Sequence, residues 1–99
     1  MKFLITWKIH AGKIQSTLSL FAQMSAEQEQ SLMGEGVELI GRWHDLVRGT
    51  GAAIYEADSA EALSAYSLNW SQSMDLDISM VVDDGTAREI GSKLSATTA

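Results

Sequence analysis

The segment KFLITWKIH, residues 2–10, alternates in polarity. Phe3, Ile5, Trp7 and Ile9 fall on one side; Lys2, Leu4, Thr6, Lys8 and His10 fall on the other. A period of two, carried by β-branched and aromatic residues, predicts a strand with one buried face. After Ala11 the period changes. Ile14, Leu18, Phe21 and then Met24 or Ser25 recur at helical spacing. SAEQ (Ser25 to Gln28) has the form of a capping box, so the helix is expected to kink or restart there and to end near Gly34 and Gly36. GVELIGRWHDL predicts a second strand, with Val37, Leu39, Gly41 and Trp43 on one side and Glu38, Ile40, Arg42 and His44 on the other. VRGTG supplies the glycines of a hairpin turn, and AAIYEA follows as an antiparallel third strand. DSAEALSAYSLNWSQS predicts a helix capped by Asp58 or Ser59, with Ala62, Leu63, Tyr66 and Trp70 as its apolar stripe. MDLDISMVV predicts a fourth strand, with Leu76, Ile78, Met80 and Val82 opposite Asp75, Asp77, Ser79 and Val81. A short helix is expected from Thr86 to Leu94, then a frayed end.

This order, βαββαβ with a tail helix, predicts an α+β, ferredoxin-like domain: a four-stranded antiparallel sheet with two helices on one face. One domain is expected over residues 1–95, with a frayed tail at 96–99. The helices cover one face, and the more apolar sides of the strands are assigned to it. The open face then carries Leu4, Thr6, Lys8, His10, Ile40, Arg42, His44, Asp77, Ser79 and Val81. The third strand adds either Ala53 and Tyr55 or Ile54 and Glu56. Such a mixture of apolar and charged residues suits a sheet that meets a second sheet at its rim and encloses a partly wet cavity. A face-to-face homodimer is the expected assembly.

The net charge of -6 and the scattered cations argue against nucleic acid as a partner. The absence of cysteine excludes disulfides and thiolate chemistry. The apolar run before Lys8 is too short for a signal-peptide core, and no stretch approaches the roughly 20 apolar residues of a membrane span. A soluble cytoplasmic protein without a membrane partner is expected.

MKFLITWKI, GVELIGRWHD and IYEADSAEALSAYSLNWSQSMDLDISMVVDD resemble a family of short, mainly bacterial proteins catalogued as a domain of unknown function, within the dimeric α+β barrel superfamily. The similarity covers the chain apart from the segment Ser16 to Glu35, and GRWH and EADSAEAL are its most specific pieces. The resemblance implies a fold and a dimer, and no reaction.

Arg42 and His44 are the candidates for chemistry. A guanidinium binds an anionic group, and an imidazole exchanges protons near neutrality. The plainer reading is that both line a dimer cavity and hydrogen-bond across it. Thr6, Lys8, His10, Ile40, Glu56, Asp77 and Ser79 join them as the expected ligand-binding set. His10 and His44 with Glu56 or Asp77 have the donor types of a two-histidine, one-carboxylate site, but no spacing motif supports a metal and none is expected. Glu56 is expected to pair with Lys8 or Arg42, and Asp75 with Asp77 to form a solvated edge. Trp7, Trp43 and Trp70 read as core. RGTG lacks the following helix of a phosphate loop, and both histidines sit on strands, unlike the helical histidine of the superfamily's haem-degrading branch. No cofactor is expected. The favoured function is binding of a small organic molecule, anionic or carbonyl-bearing, in a cavity on the open face. Its rivals are a cofactor-independent isomerase or monooxygenase using His44 and Arg42, and a protein-interaction module.

Overall fold

A computed structural model describes residues 1–98, with side-chain surroundings for 1–94. Strand β1 (Lys2–Ile9) leads into α1 (Ile14–Gln23) and α2 (Ala26–Met33). Then come the hairpin β2 (Val37–Asp45) and β3 (Thr50–Ala57), helix α3 (Ala60–Leu68), strand β4 (Met74–Val81) and helix α4 (Asp84–Thr98). The sheet has the order β2-β3-β1-β4 with every neighbouring pair antiparallel, the ferredoxin-like arrangement. α4 begins earlier than the expected Thr86 because the Asp83 carboxylate accepts the Thr86 amide at 2.9 Å and caps the helix. It is exposed from Asp84 to Leu94. The expected frayed end at 96–99 falls on residues whose side chains, and for Ala99 the whole residue, lie outside the described residues.

The register fixes which side chains share a face. Phe3, Ile5, Trp7 and Ile9 stand opposite Tyr55, Ala53 and Gly51 on one flank and Met80, Ile78, Leu76 and Met74 on the other. This is the helix-covered face, so Ala53 and Tyr55 face the helices while Ile54 and Glu56 lie on the open face. Phe3, Ile5, Val37, Ala53, Tyr55, Leu63 and Tyr66 form the core. Leu63 is fully buried and seats α3 on the sheet. Ser59 caps that helix by accepting the Ala62 amide at 3.1 Å. The capping box at Ser25 and Gln28 forms as the sequence predicts, with bonds of 2.8 and 3.1 Å, and it divides the first helical segment into α1 and α2.

The departure from the predicted pattern is in β2. Leu39 pairs with Tyr55, yet Gly41, not Ile40, pairs with the next residue, Ile54. Ile40 is the extra residue of a β-bulge, and from there on every side chain changes sides. Gly41 and Trp43 turn to the open face, where Trp43 is 66% exposed rather than core. Arg42 and His44, expected on the open face, turn under the helices, level with Ala53 and Gly51.

Gly51 makes this packing possible. A Cβ at that position would stand 2.1 Å from the Trp7 ring and 2.6 Å from the Trp43 carbonyl oxygen. Gly51→Ala is therefore expected to destabilise the protein by about 1–3 kcal/mol in urea unfolding, and to change Trp7 fluorescence. Gly41→Ala should cost less. Its added carbon meets only the Trp43 ring, at 2.6 Å on the exposed side, where the ring can swing aside.

Candidate functional site

The bulge delivers Arg42 and His44 into a recess between the sheet and α1 and α3. Trp7 and Leu76 come from the sheet floor, Thr17, Leu18 and Phe21 from α1, and Tyr66, Ser67 and Trp70 from α3 and the turn after it. Carbon dominates the lining, with a few convergent polar groups, the usual composition of a small-molecule site. The space between the walls totals about 520 Å³ including the open mouth, and a water-sized molecule can move within about 60 Å³ of it. A ring-sized ligand thus needs the α1 wall to give way. Among the described residues of α1, Thr17 is the buried one, so this wall is lightly anchored.

Arg42 is held from three directions. Its Nη1 lies 2.5 Å from Glu29 Oε1 on α2, with the two side chains only 14% and 17% exposed. Its guanidinium carbon sits 4.7 Å from the centre of the Phe21 ring, a cation–π contact. The Tyr55 hydroxyl lies beside it as well. Burial alone would lower the Arg42 pKa, but the Glu29 carboxylate and Tyr55 outweigh it and the net shift is upward, so the group stays charged.

His44 stands edge-on to Trp7, with ring centres 5.5 Å apart, and tilted against Phe21 at 5.2 Å. Desolvation lowers its pKa from the ordinary value, and the Arg42 charge adds to this; Glu29 opposes both. The imidazole keeps an exposed edge and tends to be neutral at physiological pH. Deeper in, the Tyr55 and Tyr66 hydroxyls are 3.4 Å apart. Burial first, and then Tyr66, push the Tyr55 pKa well above the usual phenol range, so it remains a neutral donor and acceptor.

The structure separates the other residues expected in one site. Thr6, Lys8, Asp77 and Ser79 lie on the open face, and Ile40 is the bulge residue, 54% exposed. Glu56 is ion-paired, but with the N-terminal ammonium at 2.7 Å and Lys2 at 3.7 Å rather than with Lys8 or Arg42. His10 follows the end of β1, and its Nε2 lies 3.0 Å from Asp75 Oδ1. Among the described residues no three histidine or carboxylate side chains converge to hold a metal. Glu29 carries no sequence signal for this role, whereas Trp7 and Trp70, expected as core, pack against the core and line the recess as well. Phe21 was legible as part of the α1 stripe, but no pattern connected it to Arg42. Periodicity within one element carries no information about which side chains meet across two.

Proteins of known structure share this architecture. L-rhamnose mutarotase from Formosa agariphila superposes over 84% of this chain and 96% of its own, with a TM-score of 0.51 and 16% identity. A protein from Agrobacterium tumefaciens does so over 85% and 96%, with a TM-score of 0.51 and 14% identity. At such identities the likeness establishes the fold alone. No curated protein matches by sequence. The family model for the domain of unknown function DUF3303 matches residues 1–95, and the chain belongs to that family.

Proposed function

We propose that the protein binds a small organic molecule in the recess between the sheet and α1 and α3, with Arg42 and His44 as its polar contacts, and that it works as a homodimer joined through the open sheet faces. One observation carries the reading: a β-bulge turns a guanidinium out of the solvent and an imidazole to the mouth of an aromatic-lined cavity. Burying a guanidinium is costly, so a protein with no use for one there gains from an apolar residue instead. The mutarotase neighbour supports a small-molecule use of this fold.

The dimer reading rests on the open face. Trp43 is largely exposed there, and Leu4, Ile54 and Val81 are half-buried elsewhere on the same face. Lys8 and Asp75 stand opposite each other near one end of it. An apolar patch bordered by charges is the usual form of an interaction surface.

A second reading, a cofactor-independent isomerase, is favoured by His44. A neutral imidazole at the mouth of a cavity can take up a proton, and Arg42 behind it can stabilise negative charge on the acceptor atom.

Three outcomes are expected. Native mass spectrometry of gently purified protein should show a dimer with a retained small molecule, and Leu18→Trp, which fills the recess, should yield a bare dimer. Two bare spectra would overturn the binding reading. Trp43→Asp should reduce the light-scattering mass to that of one chain while the recess still retains its ligand, since the two lie on opposite faces. By NMR the His44 midpoint should fall below 6.5. Arg42→Gln should raise it, and Glu29→Gln should lower it further. Because the unfolded chain then holds that proton more tightly, the stability due to His44 is present above 6.5 and is lost as the pH falls through the lower folded value.

A further inference from the structure

Glu29 has an unusual position. Its Oε1 is buried and touches Arg42 Nη1, yet it accepts no well-aligned hydrogen bond. A buried carboxylate oxygen with charge attraction but no directional bond is under-satisfied, and a better-placed acceptor gains at its expense. The guanidinium it touches carries five N–H donors, lines the recess, and lies with one face on Phe21. A carboxylate approaching from the recess can take two of those donors side by side, the geometry that guanidinium groups favour.

α2, the element that carries Glu29, is bracketed by turns. Before it, Met24 is extended and Ser25 opens the capping box; after it, Gly34 and Gly36 take φ of 76° and 82°. The Glu29–Arg42 pair therefore ties a short helix to β2 behind the recess, which it meets through Arg42. The enclosed part of the recess is smaller than an aromatic ring, so its α1 wall has to yield before a ring can enter.

Building on the small-molecule reading above, we infer that the recess takes a flat monocarboxylate, an aromatic ring bearing one carboxyl group, and that its carboxylate displaces Glu29 from Arg42. The ring lies among Trp7, Phe21 and Trp70, and the displaced Glu29 turns to water as the wall opens. Glu29 thus fills the anion site when the recess is empty. It keeps Arg42 neutralised and selects against ligands that cannot replace it. A neutral ligand of the same shape has nothing to offer Arg42 in exchange.

Benzoate and benzamide differ in charge but hardly in shape, and tryptophan fluorescence follows the binding of each. The wild-type protein should bind benzoate more tightly than benzamide. Glu29→Gln should tighten benzoate by about tenfold and leave benzamide within about twofold, because the resident competitor is gone. Arg42→Met should abolish the preference for benzoate. Since that variant leaves Glu29 buried without its cation, the double variant Glu29→Gln/Arg42→Gln is measured beside it, with thermal melts confirming that each is folded. Benzamide binding as tight as benzoate, or Glu29→Gln leaving benzoate unchanged or weaker, would overturn the displacement while the small-molecule reading stands. If neither probe binds wild type or Glu29→Gln, the monocarboxylate inference fails, and a wild-type protein that also emerges bare in native mass spectrometry takes the small-molecule reading with it.

Discussion

One inserted residue in β2 decides what this sheet presents on each side. With a regular ladder, Trp43 would be buried with the core and Arg42 and His44 would face outward. The bulge at Ile40 reverses all three. The exchange is energetically lopsided: it exposes an indole and buries a charge. Both changes are unfavourable on their own, and each requires a compensating partner. For Arg42 the compensation is visible in Glu29, Phe21 and Tyr55. For Trp43 the compensation is slight: its ring lies over Gly41 of the same strand and stays 66% exposed.

The small residues of β3 are the complement of that exchange. Gly51 and Ala53 stand opposite His44 and Arg42, and on their other side opposite Trp7 and Ile5. Had β3 carried larger side chains there, the space taken by the Trp7 ring and the guanidinium would be filled from below. The central strand thus gives up packing volume so that its two neighbours can place large, functional groups above it. Tyr55, farther along the same row, closes the recess at the core end and brings its hydroxyl to Arg42.

Much of the fold was legible in the sequence because alternation and helical spacing are local signals. The strands, the Ser25 capping box, the helix seated by Leu63 and the antiparallel order all follow from them. The site was legible in its residue types but not in its placement. Arg42 and His44 keep the same spacing whether or not a bulge precedes them, so the pattern after Ile40 fits either face equally well. The tell was on the other strand. Only a row as small as Gly51 and Ala53 leaves room for an arginine and a histidine beneath helices, and β3 was the strand whose facing stayed open. Glu29 was out of reach for a different reason. It comes from a helix whose position relative to β2 is set by tertiary packing, and nothing in its local sequence marks it as a partner of Arg42.

β4 is a free edge of the sheet, and near its start Asp75 and Asp77 occupy two successive alternate positions. A strand of another copy that tried to extend the sheet there by antiparallel pairing would bring these carboxylates alongside one another without cations between them. Repulsion of that kind keeps an exposed edge from seeding an endless sheet. Growth by edge pairing is thereby discouraged on this side, and β2 is left as the other edge of the sheet.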